Sequence, residues 1–218
     1  MKIYAFNGSP RKTGNSVQMM QTFIEGLKEA NPNVEVEIVN LYDYNYTGCR
    51  SCFACQMTVN RDHLGCQIKD DIHDILEAAR QADGIVFASP IYFFDITAQL
   101  KTFLERLFYP GKSEKPVPSV FLYTMNAPEE IKDQLNFECA LTTSRSFMES
   151  NFLEAPECVY AFNTFQYNDK EIFTEHFRRF VPMKLENRKK QFPTDLKNAY
   201  EAGVRLVARI HKVAELNA

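Results

Sequence analysis

At 218 residues, the chain is long enough for one domain around a sizeable core. Apolar residues make up 45% of it and exclude a disordered chain. A net charge of -3 argues against a nucleic-acid binder, which would be basic over a whole face. No apolar run is long enough to span a bilayer, and Met1 leads directly into a strand-like run without a leader pattern. A cytoplasmic setting is therefore expected, with reduced cysteines.

Strand-like and helix-like segments alternate along the chain. Ile3 to Asn7 reads as a first strand, and Val17, Met20, Ile24 and Leu27 fall on one face of a helix ending near Ala30. Val34 to Val39 alternates at period two, which predicts a strand near a sheet edge. Ile72, Ile75, Leu76 and Ala79 form the next helical stripe, with Asp70 and Asp71 suited to its first turn. Gly84 to Ser89 is continuously apolar, as a central parallel strand should be. Ile96, Leu100, Phe103, Leu104 and Leu107 mark a strong helix, and Ser119 to Thr124 a fourth strand. A helix over about 129–150, a fifth strand from Cys158 to Phe162 and a helix from Thr194 to Glu215 complete the pattern.

This alternation predicts an α/β fold, a parallel sheet covered on both faces. Ligands of such sheets bind beyond the carboxyl ends of the strands, where strand order reverses. Two segments exceed the minimal pattern, the cysteine-bearing connection 42–69 and the extension 163–193 before the final helix. Both are long enough to suspect a function.

Gly8-Ser9-Pro10-Arg11-Lys12-Thr13-Gly14-Asn15-Ser16 joins the first strand to the first helix. Backbone N–H groups converge at such a turn, and the helix dipole favours an anion there. Ser9, Thr13, Asn15 and Ser16 offer short polar side chains, and Arg11 adds charge. The loop is neither a Walker A motif, since Asn15 stands where Lys is needed, nor a G-x-G-x-x-G turn. A turn capped by Asn15 or Ser16, with no ligand, accounts for the same residues.

This loop resembles the FMN-phosphate loop of flavodoxin-like NAD(P)H-dependent FMN reductases. A second signature of that family is matched by Ser89-Pro90-Ile91-Tyr92-Phe93-Phe94-Asp95-Ile96-Thr97-Ala98-Gln99-Leu100-Lys101. Lys69-Asp70-Asp71, Asp83 and Ala202 to Leu206 also fit. The resemblance implies a single flavodoxin-like domain over 1–218, a three-layer sandwich whose five-stranded parallel sheet has the order 2-1-3-4-5. It implies FMN held by Ser9, Arg11, Thr13, Gly14, Asn15 and Ser16, with its ring against Pro90, Ile91, Tyr92 and Phe93 and its edge near Asn126. NAD(P)H would be the electron donor, a flavin, quinone or other small molecule the acceptor, and a homodimer the assembly. No side chain stands out as an acid or base catalyst. The alternatives are an FMN electron carrier reduced by a ferredoxin-like protein, and an FMN-free interaction protein.

Cys49, Cys52 and Cys55 recur at every third position, and Cys66 follows after ten further residues. Four thiolates suit an Fe–S cluster, and the resemblance narrows to iron–sulfur flavoproteins. Structural zinc and plain reduced thiols remain open. His63 and His73 are weaker ligand candidates. Cys139 and Cys158 read as core residues. Cys139-x5-Arg145 and Cys55-x5-Arg61 match the bare spacing of a cysteine phosphatase loop, but the first lacks the glycine cradle that chemistry needs and the second sits in the cysteine cluster. Tyr42, Tyr44 and Tyr46 suit either packing or a flavin contact. Arg178, Arg179, Lys184, Arg188, Lys189 and Lys190 read as a solvated basic face, or more remotely as a contact for a nucleotide phosphate.

Overall fold

The computed structural model describes residues 1–57, 65–108, 113–134, 138–166 and 175–216. Strand β1 (Lys2–Asn7) lies between β2 (Glu35–Asn40) and β3 (Gly84–Tyr92), and β5 (Ser119–Thr124) and β6 (Glu157–Ala161) extend the sheet beyond β3. The path is β2-β1-β3-β5-β6, all parallel, which is the expected order 2-1-3-4-5. A sixth strand escaped the sequence reading. The two-residue β4 (Asp95–Ile96) folds back antiparallel onto the end of β3, pairing Tyr92 with Asp95.

Strand order reverses between β1 and β3, because the chain leaves β1 for the β2 edge and returns on the other side. The carboxyl ends of these two strands therefore splay a crevice, the usual ligand position in such sheets. β2 is mostly exposed, as its alternating sequence predicted for an edge.

Helix α1 (Asn15–Ala30) and the long α8 (Phe192–Leu216) cover one face, above Ile3, Ala5, Val86, Ala88, Val120 and Leu122. Helices α2 (His73–Arg80), α3 (Ala98–Leu107) and α5 (Glu138–Phe152) contribute to the core on the other face, against Tyr4, Phe6, Phe87, Phe121 and Tyr123. The rings there stack across strands, Phe6 on Phe87 at 5.5 Å and Phe87 on Phe121 at 4.9 Å.

Several boundaries differ from expectation. The helix over 129–150 is replaced by a short α4 (Glu130–Gln134) and the longer α5. The buried positions of α5 are Leu141, Ser144, Met148 and Phe152, so Cys139, two residues before that stripe, points outward and is exposed rather than core. Cys158 is half-buried on β6, and burial pushes its thiol up to about 11. The extension before the final helix carries α6 (Glu175–Arg178) and α7 (Val181–Lys190), and α8 begins at Phe192, two residues earlier than expected.

The α1–α8 crossing depends on two glycines. A Cβ on Gly26 would stand 2.1 Å from the Tyr200 carbonyl oxygen, and one on Gly203 2.2 Å from that of Phe23. Neither helix has room to retreat without opening the core beneath it. Gly203→Ala should therefore cost about 2–3 kcal/mol, measured as a lowered urea midpoint with unchanged slope. A wild-type midpoint would mean that the helices are not locked at this distance.

Candidate functional site

The loop 8–14 is pinned from below before it reaches α1. The Gly8 N–H donates to the Ala88 carbonyl at 2.8 Å, and the Gly8 carbonyl accepts from Thr97 Oγ1 at 2.7 Å. Asn7 is fully buried, and its Oδ1 accepts the Ser9 N–H at 2.9 Å. Ser9 Oγ in turn accepts the Arg11 N–H at 3.2 Å. These are short local bonds of the kind Asn and Ser make best.

Neither Asn15 nor Ser16 caps α1. The cap is Gly14, with no side-chain cap bond, and no acid occupies the first turn. The first N–H groups of a helix have no acceptor within it, so this turn presents donors suited to an anion. Ser16 is buried and shares a 2.7 Å bond with Thr124 Oγ1 at the end of β5, which ties the helix start to the sheet.

A strand of chain crosses above this turn. Asn15 Nδ2 donates to the Phe165 carbonyl at 2.8 Å, and the exposed Arg11 guanidinium donates to that of Gln166. Arg188 on α7 donates to Asn15 Oδ1 at 2.9 Å and also to Gln18. Thr13 stays exposed.

The second loop ends β3. Pro90 is buried, Ile91 half-buried, and Tyr92 and Phe93 are exposed. Phe93 and Phe94 form the two-residue turn into β4, with φ of 50° and 70°. A turn with both central residues left-handed favours Asn-Gly, and bulky side chains there carry strain. Phe93 is nonetheless 99% exposed.

The third loop, Met125 to Pro128, follows β5 and floors a cavity of about 560 Å³. Its walls are Ile91, Phe93 and Phe94 from the second loop, Asn163 and Phe165 after β6, and Phe177, Phe180, Val181 and Met183 from the α6–α7 region. Asn126 Oδ1 is buried here with no hydrogen-bond partner among the described residues. Lys184 Nζ donates to the Asn126 carbonyl at 2.6 Å and to Asn163 Oδ1 at 2.8 Å. Only 6% of Lys184 is exposed, and burial pulls its ammonium down to about 8.

The solvated-face reading of the basic run therefore fails at two positions. Lys184 is buried in the cavity wall and Arg188 reaches Asn15 at the start of α1, whereas Arg178, Arg179, Lys189 and Lys190 are exposed. A signal for Lys184 did exist in the sequence. It sits seven residues after Phe177 and four after Phe180, at helical spacing from two aromatic residues of the same segment.

The cysteine-bearing connection is clipped at both ends by the fully buried Arg106 of α3. Its guanidinium donates to the Thr47 carbonyl at 3.1 Å, the Ile68 carbonyl at 3.0 Å and Asp70 Oδ2 at 2.6 Å. Burial opposes its charge, but hydrogen bonds from Asp70 and Cys66 raise its pKa overall. Asp70 is thus a clamp partner rather than a helix-starting acid.

Cys49 and Cys52 are exposed, and Cys55 and Cys66 half-buried, all as free thiols. Burial, then the nearby Cys66, Cys52 and Cys49, raise the Cys55 thiol. The four are within electrostatic reach of one another, but among the described residues no three such groups close into a metal-holding set. His63 lies outside the described residues. His73 is buried at the start of α2, with Nε2 against Lys69. Tyr46 is buried with its hydroxyl donated to the Gln99 carbonyl at 2.8 Å, a packing role, whereas Tyr42 is exposed.

Known proteins place this geometry in context. A family model described as NADPH-dependent FMN reductase matches residues 1–135. An iron-sulfur flavoprotein of Archaeoglobus fulgidus is 31% identical over 142 residues, 62% of this chain and 61% of that protein. An FMN-dependent NADH:quinone oxidoreductase of Bacillus cereus is 30% identical over 132 residues, 56% of this chain and 58% of that one. The chain thus spans about three fifths of the length of these curated relatives. A crystal structure of an azoreductase from Bacillus anthracis superposes with a TM-score of 0.66 at 16% identity, covering 94% of this chain and 99% of that one, a likeness of fold. With the three loops in family order at the carboxyl edge of a flavodoxin-like sheet, and the family model matching well over half of the sequence, the chain belongs to the NADPH-dependent FMN reductase family.

Proposed function

We propose that this chain is an FMN-dependent oxidoreductase that takes electrons from NAD(P)H and passes them to a quinone-like or other small acceptor. The observation that carries the reading is the uncapped start of α1 beside the strand-order switch, with buried Ser9 and Ser16 and the Pro90–Phe93 loop on its flank. An uncapped helix start with no first-turn acid suits a phosphate, and an adjoining apolar wall suits a flat ring. In this reading Ser9, Thr13, Gly14, Asn15 and Ser16 hold the phosphate. Arg11 supplies charge at the rim, and Pro90, Ile91, Tyr92, Phe93 and Asn126 bound the ring.

A bound flavin supplies the hydride and single-electron chemistry, and the protein binds, orients and shields. No described side chain is assigned as an acid or base. Among the described residues no helix is long and apolar enough to cross a membrane, which suits a small-molecule reductase. A homodimer fits the exposed Phe93 tip, which a second copy would cover.

The cysteines support a second element of this proposal. The free thiols of Cys49, Cys52, Cys55 and Cys66 are a donor set of the right chemistry for an Fe–S cluster. With Arg106 raised in pKa beside Cys66, positive charge is in place for thiolates. The Archaeoglobus relative bears the name iron-sulfur flavoprotein. A chain so equipped would also accept electrons from a ferredoxin-like protein.

Two measurements separate these elements. Asn15→Asp keeps the acceptor that Arg188 uses and suits a helix N-terminus, at the loss of the one Nδ2 bond to the Phe165 carbonyl, so folding should persist while phosphate is repelled. FMN should then bind about 10- to 100-fold more weakly, roughly 1.4–2.8 kcal/mol, with riboflavin affinity unchanged. Equal affinity of the wild type for FMN and riboflavin would defeat the phosphate site. Separately, anaerobically purified protein should carry iron and sulfide, which Cys52→Ala loses while retaining FMN. A plain flavin spectrum without iron would sink the cluster and leave the reductase reading standing.

A further inference from the structure

We infer that the part of the cavity beneath α7, beside the space that Ile91, Phe93 and Asn126 leave to the flavin ring, is the acceptor site, and that Lys184 selects planar aromatic acceptors carrying an acidic oxygen. The inference rests on the reductase reading for calling the ligand an acceptor. It goes beyond that reading in naming the ligand's charge and the residue that recognises it.

Lys184 has no ion-pair partner among the described residues, and its two hydrogen bonds go to the neutral oxygens of Asn126 and Asn163. An ammonium has three donors, so one is left for a ligand. A buried charge with no counter-charge is costly unless something compensates it, and among the described residues no carboxylate lines this cavity. Burial alone accounts for the lowered pKa of Lys184. An anionic ligand would supply the missing charge.

The shape of the cavity sets the rest of the ligand. Its lining is apolar and largely aromatic, apart from Asn126, Asn163 and Lys184. At about 560 Å³ it is in the size range of small-molecule sites. The exposed Arg178, Arg179 and Lys189 on the same segment bias the approach toward anions. Lys184 lies outside residues 1–135, the part matched to the family model.

The test uses a matched pair of probes, 2-hydroxy-1,4-naphthoquinone, anionic at neutral pH, and its neutral 2-methoxy counterpart. Calorimetric titration of FMN-loaded and FMN-free protein should show the anion bound about tenfold or more tightly than the methoxy compound. Lys184→Met and Lys184→Gln should both bring the pair to parity, the second keeping an amide donor but no charge. Thermal melts of both variants confirm folding. Equal binding by the wild type, a preference that survives both variants, or exclusion of both probes once FMN is bound would each overturn the inference. FMN uptake is read independently from flavin absorbance. Protein that keeps the charge preference but takes up no FMN would sink the reductase reading alone.

Discussion

Thr97 is the joint on which the site depends. It is fully buried at the cap of α3, where its hydroxyl accepts the Leu100 N–H at 3.3 Å and donates to the Gly8 carbonyl at 2.7 Å. Its own N–H goes to Ser89 Oγ at 3.2 Å. One side chain thus starts a helix, anchors the first loop and is fastened to the second. The two loops come from strands on either side of the order switch, so nothing in the sheet ladder fixes their spacing beyond its last pairs. A buried hydroxyl satisfied as both donor and acceptor does so, because each lost bond would strand a polar group away from water. The close fit of Gly8 under Leu100, where a Cβ would approach to 3.0 Å, follows from that spacing.

What the sequence disclosed is what local pattern governs. Continuous apolar runs marked Gly84 to Ser89 and Ser119 to Thr124 as central strands, and the alternating Val34 to Val39 as an edge, because burial on two faces or one leaves that trace. The Thr97 cap was visible in kind, as a threonine before an apolar helical stripe, but its bond to Gly8 spans 89 residues. Lys184 and Arg188 were misread because charge density along a segment does not say which face turns inward. Cys139 was misread for the opposite reason. Its apolar side chain suggests the core, but the buried stripe of Leu141 and Met148 leaves position 139 on the outer face of the helix. Of the proposed cofactor residues, the structure brings the three loops to one edge of the sheet, while Arg11 and Asn15 are engaged by carbonyls of Gln166 and Phe165 that no motif signalled.

The Phe93-Phe94 turn has its own logic. Two left-handed residues with large side chains cost on the order of 1–3 kcal/mol each, and an exposed ring on a tip returns nothing to the isolated fold. The β3–β4 pairing at Ile91 with Ile96 and Tyr92 with Asp95 holds the turn in place, and the Asp95 Oδ1 bond to the Ile96 N–H at 2.7 Å stiffens its far side. A surface that costs stability and exposes aromatic area suits a contact outside the chain's own core. Phe93 and Phe94 both border the cavity, and Phe93 is the more exposed of the two.

The two halves of the site thereby divide by chemistry as well as by position in the chain. The start of α1 and the loops after β1 and β3 lie within the family-matched residues, and their donors are backbone N–H groups and short hydroxyls that suit a phosphate. The far wall comes from α6 and α7, beyond the matched region, and offers aromatic rings around one buried ammonium. Arg188 couples them, because the helix that carries Lys184 into the cavity also holds Asn15 at the helix start. Any shift of α7 must therefore lengthen or strain the bond from Arg188 to Asn15 at the start of α1.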